Sequence, residues 1–489
     1  MEDATEGGNV KSSADLGMVG LGTMGRNLLL NLADHGYTVT GYDLDPDKVD
    51  LLETEARGRG RVLTASTLPD LVVSLRPPRA VMLLIPSGPP VEAVVRALAT
   101  LLHPGDVVID GGNSHFRETG QNQRTLSQHG IHLLGMGISG GEAGARSGPS
   151  LMPGGPREAW DRVRPLFEAV AARAGDGRPC VAWLGPGPAG HFVKMVHNGI
   201  EYILMQLLAE TYDLMRRGWG MTGDEIRTTY EAWNGTELNS YLLQIAGNIF
   251  RLKDDRTGDP LIEFILDAAR QKGTGTWTAQ EAMELQVPVP ALDAAVALRN
   301  LSARKEERQT AEARLGNPVR PFDGDRDAFL ERMRRAYYAA MILAYAQGLS
   351  LLEQASRTYS YDLNLETVAR IWRAGCIIRA ALLEEIRRAY AQQPGLPSLV
   401  LDDHLGGAVL ERLEDLREVA CAGLQHGIPV PAFTASLGYY DGYRSGWLPA
   451  NLIQAMRDYF GAHTYERTDI TGSFHTLWEP VEIPDASSS

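Results

Sequence analysis

Cysteine is almost missing from this chain. The three thiols, Cys180, Cys376 and Cys421, share no paired spacing. That excludes a disulfide framework and a cysteine-type zinc site, and it suits a reducing, cytoplasmic setting. Long apolar runs are missing as well. The longest, such as Val81–Ile85, have strand length and fall far short of a bilayer, so no membrane association is expected. Basic residues are in deficit: 47 Lys and Arg stand against 61 Asp and Glu, a formal net charge of −14. This argues against nucleic acid or an anionic membrane surface as the main partner. An anionic small molecule would need a locally basic pocket. No secretory leader is visible, because the opening MEDATEGGNVKSSAD is polar and Gly/Ser-rich; residues 1–15 read as a disordered arm. There is no low-complexity block and no obvious internal repeat.

What is present is a long chain of globular composition. At 489 residues, 44% of them apolar and 22% charged, it exceeds one ordinary core and predicts two or three domains. Up to about residue 187, short apolar segments alternate with amphipathic helices. Leu16–Val19, Thr38–Tyr42, Ala80–Ile85, Val107–Asp110, His132–Met136 and Val181–Leu184 read as strands of a mainly parallel, doubly wound Rossmann-type sheet. Gly185–Gly190, GPGPAG, marks the boundary. Beyond it helical patterns dominate, as over Val193–Arg217, Leu261–Gln271, Asp327–Gln354 and Leu365–Gln392, and predict one large all-α domain. From Pro449 the chain becomes a polar-aromatic tail.

The first predicted strand runs into Gly20-Leu21-Gly22-Thr23-Met24-Gly25 and then a helix over Arg26–His35. In a G-x-G-x-x-G the first glycine allows a tight turn and the second lets a pyrophosphate reach the backbone. The third lets helix and strand pack closely, with the helix N-terminus aimed at the phosphates. A glycine-rich turn without a ligand is the bland reading. The strand–helix context and an acid closing the next strand favour a dinucleotide. That acid, Asp43 in Tyr42-Asp43-Leu44-Asp45, can accept the ribose hydroxyls and would repel a 2′-phosphate. No Arg follows it, so NAD is expected over NADP; the alternative is that Asp43 only starts a turn before Pro46. Arg26, on the first helical turn, is expected near the pyrophosphate or in solvent.

Lys194, His197, Asn198, Glu201 and Tyr202 fall at i, i+3, i+4, i+7 and i+8, one face of a helix whose other positions are apolar. A solvated stripe would repeat Lys, Arg and Glu. One each of four different polar groups and a tyrosine, on a helix otherwise fit for burial, points to an active site. A second cluster, Gln271-Lys272-Gly273-Thr274-Gly275-Thr276-Trp277, combines glycine amides, a lysine and hydroxyls suited to an anion. Its spacing is not that of a P-loop, so ATP is not indicated, and a plain glycine-rich helix cap is the competing reading.

Taken together these motifs resemble the 6-phosphogluconate dehydrogenases, within the β-hydroxyacid dehydrogenases, over nearly the whole chain. The resemblance rests on GLGTMG, DGGNSHF (Asp110–Phe116), MGISGGEAGARSGPSLMPGG (Met136–Gly155), VKMVHNGIEY (Val193–Tyr202), QKGTGTWT (Gln271–Thr278), WRAGCIIR (Trp372–Arg379) and RDYFGAHTYER (Arg457–Arg467). It implies oxidative decarboxylation of 6-phosphogluconate to ribulose 5-phosphate in the pentose phosphate pathway, without a metal. Lys194 would be the base at the C3 hydroxyl and Glu201 the acid at C1, with His197 and Asn198 orienting the substrate. Asn113 would lie where cofactor and sugar meet. Ser139, Gly140 and Gly141 would contact the carboxylate, and Tyr202, Lys272, Thr274 and Arg299 the phosphate. Arg457 and His463 would join them from the partner subunit's tail. Residues 16–187, 188–448 and 449–489 then become a dinucleotide-binding domain, a helical substrate and dimerisation domain, and a tail completing a homodimer.

Two departures stand out. NADP-using relatives carry Asn-Arg-Thr where this chain has Asp43-Leu44-Asp45, and a lysine where it has Pro86; both favour NAD. The family's lysine after the KGTG run is Thr276 here. Competing readings are a sister dehydrogenase of a small acid and a catalytically silent dinucleotide sensor. Lys272, Arg299, Arg457 and His463 speak against the first, as does chain length. Intact Lys194 and Glu201 speak against the second.

Overall fold

The computed structural model describes residues 13–317 and 319–478. The chain forms two compact units, Met1–Leu437 and Gly438–Ser489, each described by itself.

The first unit opens with a seven-stranded sheet in the order β3-β2-β1-β4-β5-β6-β7. The strands are β1 (Leu16–Val19), β2 (Val39–Tyr42), β3 (Val62–Thr64), β4 (Ala80–Leu83), β5 (Val107–Asp110), β6 (His132–Ser139) and β7 (Ser150–Gly154). All pairs are parallel except β6–β7. The covering helices are α1 (Thr23–Asp34), α2 (Pro46–Glu55), α3 (Leu68–Ser74), α4 (Pro89–Leu101), α5 (Phe116–Ser127), α6 (Gly141–Ser147) and α7 (Arg157–Val170). Alternate residues serve two cores. Met82, Val107 and Ile109 face Leu28, Leu29 and Phe167, while Val81, Leu83 and Val108 face Val91, Val95 and Leu98. Burial of both faces is why these strands read as unbroken apolar runs.

Three readings of this region need correction. Val181–Leu184 is not a strand; only Val181 bridges, to Leu151. The strands missed were β3, three half-buried residues, and β7, whose SLMPG contains a proline. Ala14 and Asp15, assigned to the arm, are anchored: Ala14 N–H donates to Ser74 O at 2.8 Å and Asp15 pairs with Arg76 at 2.5 Å. Residues 1–12 lie outside the described residues.

The helices that follow are α8 (Ala189–Asp213), α9 (Gly223–Asn234), α10 (Tyr241–Ile249), α11 (Thr274–Glu284), α12 (Pro290–Ser302), α13 (Lys305–Leu315), α14 (Arg326–Tyr359), α15 (Leu365–Ile371), α16 (Leu382–Gln392), α17 (Asp403–Leu410), α18 (Leu413–His426) and α19 (Pro431–Tyr443). The long α8 and α14 are buried along most of their length and cross closely, because a Cβ on Gly348 would stand 2.4 Å from Ile200. Leu365–Gln392 is not one helix. It breaks over Trp372–Ala381, where Gly375 takes φ +68° and its carbonyl accepts from Ser150 N–H at 2.9 Å. Leu261–Gln271 holds only a 3₁₀ turn at Leu261–Phe264; its apolar residues Phe264, Ile265 and Leu266 are exposed, so no core supports a longer helix. No helix among the described residues is long and apolar enough to cross a membrane.

The second unit, whose boundary precedes the expected tail start at 449, is more ordered than its composition suggested. It contains α20 (Ala450–Gly461) and a hairpin of β8 (Tyr465–Glu466) and β9 (Ser473–Phe474). Asp458, fully buried, holds it together by accepting from Thr464 N–H, His475 Nδ1, Thr476 N–H and Trp478 Nε1 at 2.9–3.0 Å. Burial alone would raise this carboxyl, but the four donors prevail and hold it at about 2.

Candidate active site

The glycine turn meets a geometric test of its three positions. A Cβ on Gly20 would lie 2.5 Å from Leu84 O and one on Gly25 1.9 Å from Gly20 O, whereas one on Gly22 meets nothing within 4 Å. The first and third glycines are required by the protein, and the second leaves the space a pyrophosphate needs. Thr23 and Met24 open α1, and no side chain caps its first turn, so those amides remain for a ligand.

At the end of β2, Asp43 is fixed by the turn. Its Oδ2 accepts from Leu21 N–H at 2.7 Å and its Oδ1 from Asp45 N–H at 3.0 Å. The sequence reading overlooked a cation here. Lys48, on the first turns of α2, puts Nζ 3.5 Å from Asp43 and 3.6 Å from Asp45. Arg26 is not in solvent: it pairs with Glu55 at 2.9 Å and its side chain is mostly buried. Asn113 is exposed on the loop after β5. Asp110 shapes that loop, accepting from Gly112 N–H at 3.0 Å and Ser114 Oγ at 2.7 Å.

The polar row on α8 is buried as its periodicity implied. Lys194, His197 and Asn198 are 7%, 0% and 9% exposed. Lys194 Nζ donates to Asn198 Oδ1 at 2.6 Å and lies 3.4 Å from His197 Nδ1; Nδ1 is 3.2 Å from Asn198 Oδ1 and 3.9 Å from Glu201. His197 Nε2 meets Ser139 Oγ, at the end of β6, at 3.3 Å, and Ser139 in turn accepts from Ile377 N–H at 3.3 Å. A consistent assignment has Ser139 donating to Nε2 and Nδ1–H donating to Asn198. The Trp372–Ala381 break thus closes the site from outside: Trp372 packs edge-on against His197 at 5.5 Å, and a Cβ on Gly140 (φ +130°) would strike Gly375 O at 2.5 Å. Gly141, at φ +62°, borders open space.

Burial is the largest influence on how these groups titrate. It pushes Lys194 down despite the nearby Glu201 carboxylate, and pushes Glu201 up despite Lys194 and Arg299. Burial and the Lys194 charge hold His197 well below its usual value. These shifts run in the directions that a base, an orienting group and an acid would need.

One turn on, Tyr202 carries the Arg299 guanidinium 3.6 Å over its ring, and a Cβ on Gly275 would stand 2.3 Å from that ring. Thr274 starts α11 beside Gly273 (φ +97°), and Thr278 Oγ ties α11 to α8 by donating to Met195 O at 2.9 Å. Lys272 is exposed on the loop before it. Arg457 and His463 belong to the second unit and are exposed there, Arg457 donating to Gln454 at 2.9 Å. Among the described residues no His, Cys, Asp and Glu cluster has the makings of a metal site.

An open glycine turn and a Lys–His–Asn–Glu row, its first three members buried, on a mainly parallel sheet fit the class of nicotinamide-dinucleotide-dependent dehydrogenases. Comparison with known proteins narrows the class. Residues 15–185 match the NAD binding domain of 6-phosphogluconate dehydrogenase and residues 190–478 its C-terminal domain. The decarboxylating 6-phosphogluconate dehydrogenase of Synechococcus elongatus is 49% identical over 94% of this chain and 98% of its own, and that of Lactococcus lactis 47% over 96% and 99%. The 6-phosphogluconate dehydrogenase of Plasmodium falciparum, solved in apo form and in complexes with NADP+ and with 6-phosphogluconate, superposes with a TM-score of 0.92. It is 41% identical and is matched over 95% of this chain and 100% of its own. The chain belongs to the 6-phosphogluconate dehydrogenase family.

Proposed function

We propose that the α8 row carries out the family reaction, oxidative decarboxylation of 6-phosphogluconate to ribulose 5-phosphate and carbon dioxide. When bound, the nicotinamide supplies the acceptor for the C3 hydride. Lys194, whose burial favours the neutral amine, takes the C3 hydroxyl proton. The resulting ketone lies β to the C1 carboxylate, so carbon dioxide leaves with its electrons delocalised into the carbonyl. Glu201, whose carboxyl burial pushes up, then delivers a proton to C1 of the enediol. His197 and Asn198 hold the sugar through the network they share with Lys194; Ser139, Gly140 and Gly141 take the carboxylate end. Tyr202, Lys272, Thr274 and Arg299 take the phosphate, and Asn113 bridges sugar and cofactor. The 2.6 Å Lys194–Asn198 contact inside a buried row carries this reading. Its test is an initial-rate assay with 6-phosphogluconate, with NAD and NADP in parallel and chelator present; activity lost to chelator and restored by a divalent ion would defeat the metal-free route.

For the cofactor we infer a preference for NAD, on the strength of Asp43 and Asp45 at the end of β2. For assembly we infer a homodimer in which Arg457 and His463 complete the partner's phosphate site. The exposed Leu452, Ile453 and Phe460 on α20 support a covered second unit. With Cys180 and Cys376 buried and no cysteine paired, a reducing cytoplasmic setting follows.

A further inference from the structure

The two ends of the substrate site are borne by different parts of the chain. Asn113 sits on a sheet loop, while Lys272 and Thr274 open α11. A buried carboxylate joins them away from the chemistry. Glu281 of α11 is 3% exposed. Its Oε2 accepts from Arg117 Nη2 at 2.8 Å, and its Oε1 accepts from the Tyr359 hydroxyl at the end of α14. Arg117 lies on the first turn of α5, directly after the Asn113–His115 loop. His115 packs edge-on against Trp277 of α11 at 5.1 Å, and Phe116 contacts Phe192 of α8 and Tyr359 at 5.0 and 5.9 Å. Glu281 is seven residues from Thr274, about 10 Å along the helix. The helix between them is pinned to α8 at Gly275 and Thr278. Arg117 also reaches Glu284 at 2.5 Å, but Glu284 is 62% exposed and adds little.

We propose that the Glu281–Arg117–Tyr359 clasp is a positioning device that fixes the Asn113 loop, where sugar and cofactor meet, relative to the phosphate end of the site, and so selects substrates with a distal anion. A rigid spacing rewards a ligand that touches both ends and does nothing for one that touches only the first. Without the clasp, α11 moves relative to the Asn113 loop and the phosphate contacts no longer reinforce those at C1–C3. The inference rests on the substrate assignment above.

The test compares kcat/KM for 6-phosphogluconate with kcat/KM for unphosphorylated gluconate, in wild type and Glu281→Gln. Turnover of 6-phosphogluconate by wild type is the control, and its failure would strike the substrate assignment, not the clasp. Glu281→Gln is expected to raise KM for 6-phosphogluconate roughly tenfold, the scale of one weakened charge-assisted hydrogen bond, with gluconate constants unchanged. An equal loss on both substrates, or an unchanged ratio, would overturn the proposal, since either marks a purely structural role. Should Glu281→Gln fail to fold, Tyr359→Phe removes one donor only. The same ratio is then measured in that variant: a selective loss on 6-phosphogluconate supports the clasp, and an unchanged ratio overturns it.

Discussion

On the proposed NAD preference, Asp43 and Lys48 would make opposite contributions to cofactor choice, and the pair can be taken apart. Asp43 is held by Leu21 N–H at 2.7 Å and Asp45 N–H at 3.0 Å, so its carboxylate cannot turn away from an incoming 2′-phosphate. Two fixed carboxylates would repel that group strongly, but the Lys48 ammonium at 3.5 and 3.6 Å cancels part of their field. At 3.5 Å and an effective dielectric of about 20, one such pair is formally worth about 5 kcal/mol. Lys48 and Asp45 are 41% and 47% exposed, however, so the realised effect is that of a surface pair, about 0.2–1 kcal/mol. On the proposed preference, a net repulsion of about 1–2 kcal/mol would favour NAD roughly five- to thirty-fold. Asp43→Asn should erase most of that preference. Lys48→Ala should increase it by roughly 1.4- to five-fold, because the carboxylates then act unopposed. Replacing Asp43-Leu44-Asp45 by Asn-Arg-Thr should turn the preference towards NADP. The assay is kcat/KM for both cofactors at saturating 6-phosphogluconate. A wild type that already favours NADP, or two single variants that shift the ratio in the same direction, would refute the argument while leaving the reaction assignment intact.

Lys194→Met should lower kcat by roughly two to four orders of magnitude, the range of a lost general base; near-wild-type turnover would remove Lys194 from that role. In the pH profile of kcat/KM, activity should fall at low pH as the base protonates and at high pH as the acid ionises, with apparent values belonging to the coupled pair. Glu201→Gln should abolish the alkaline limb, and its persistence would reassign the acid. Truncation before Pro449 should abolish activity, and mixing that truncation with full-length Lys194→Met should restore some through heterodimers; a fully active monomer in sedimentation contradicts the shared site. Glu210 is buried on α8 and accepts from Ala432 and Phe433 N–H at 2.8 and 3.0 Å, yet burial outweighs these donors and lifts its pKa to about 7. A raised folded-state pKa gives stability that is complete below the unfolded value, about 4.5, and is lost as pH rises through about 7. The loss is at most about 3 kcal/mol. A Glu210→Gln protein with the same Tm slope over that window would show that Glu210 is not its source.

Periodicity made α8 legible because 3.6-residue spacing puts Lys194, His197, Asn198, Glu201 and Tyr202 on one face whatever the helix packs against. The glycine turn was legible for a similar reason: backbone strain and close approach are local, and Gly20, Gly22 and Gly25 report them directly. The short elements were not. β3 and β7 exist because neighbouring strands supply their hydrogen bonds, and no property of VLT or SLMPG announces that. The break at Trp372–Ala381 sits inside an apolar, helix-compatible stretch. It forms because Gly375 docks on Ser150 and Ile377 on Ser139, contacts more than 200 residues apart in sequence.

The sequence by itself thus determined the layer architecture, the cofactor turn and the identity of the ionisable row, all set by local spacing and side-chain chemistry. Only the tertiary structure decided the direction in which those groups are shifted and the company they keep. Burial pushes Lys194 down and Glu201 up, and Lys48 pairs with Asp43 across a turn. Arg117, Glu281 and Tyr359 meet from three distant segments. Such effects depend on desolvation and on distances across the fold, and neither is a property of residues in sequence order.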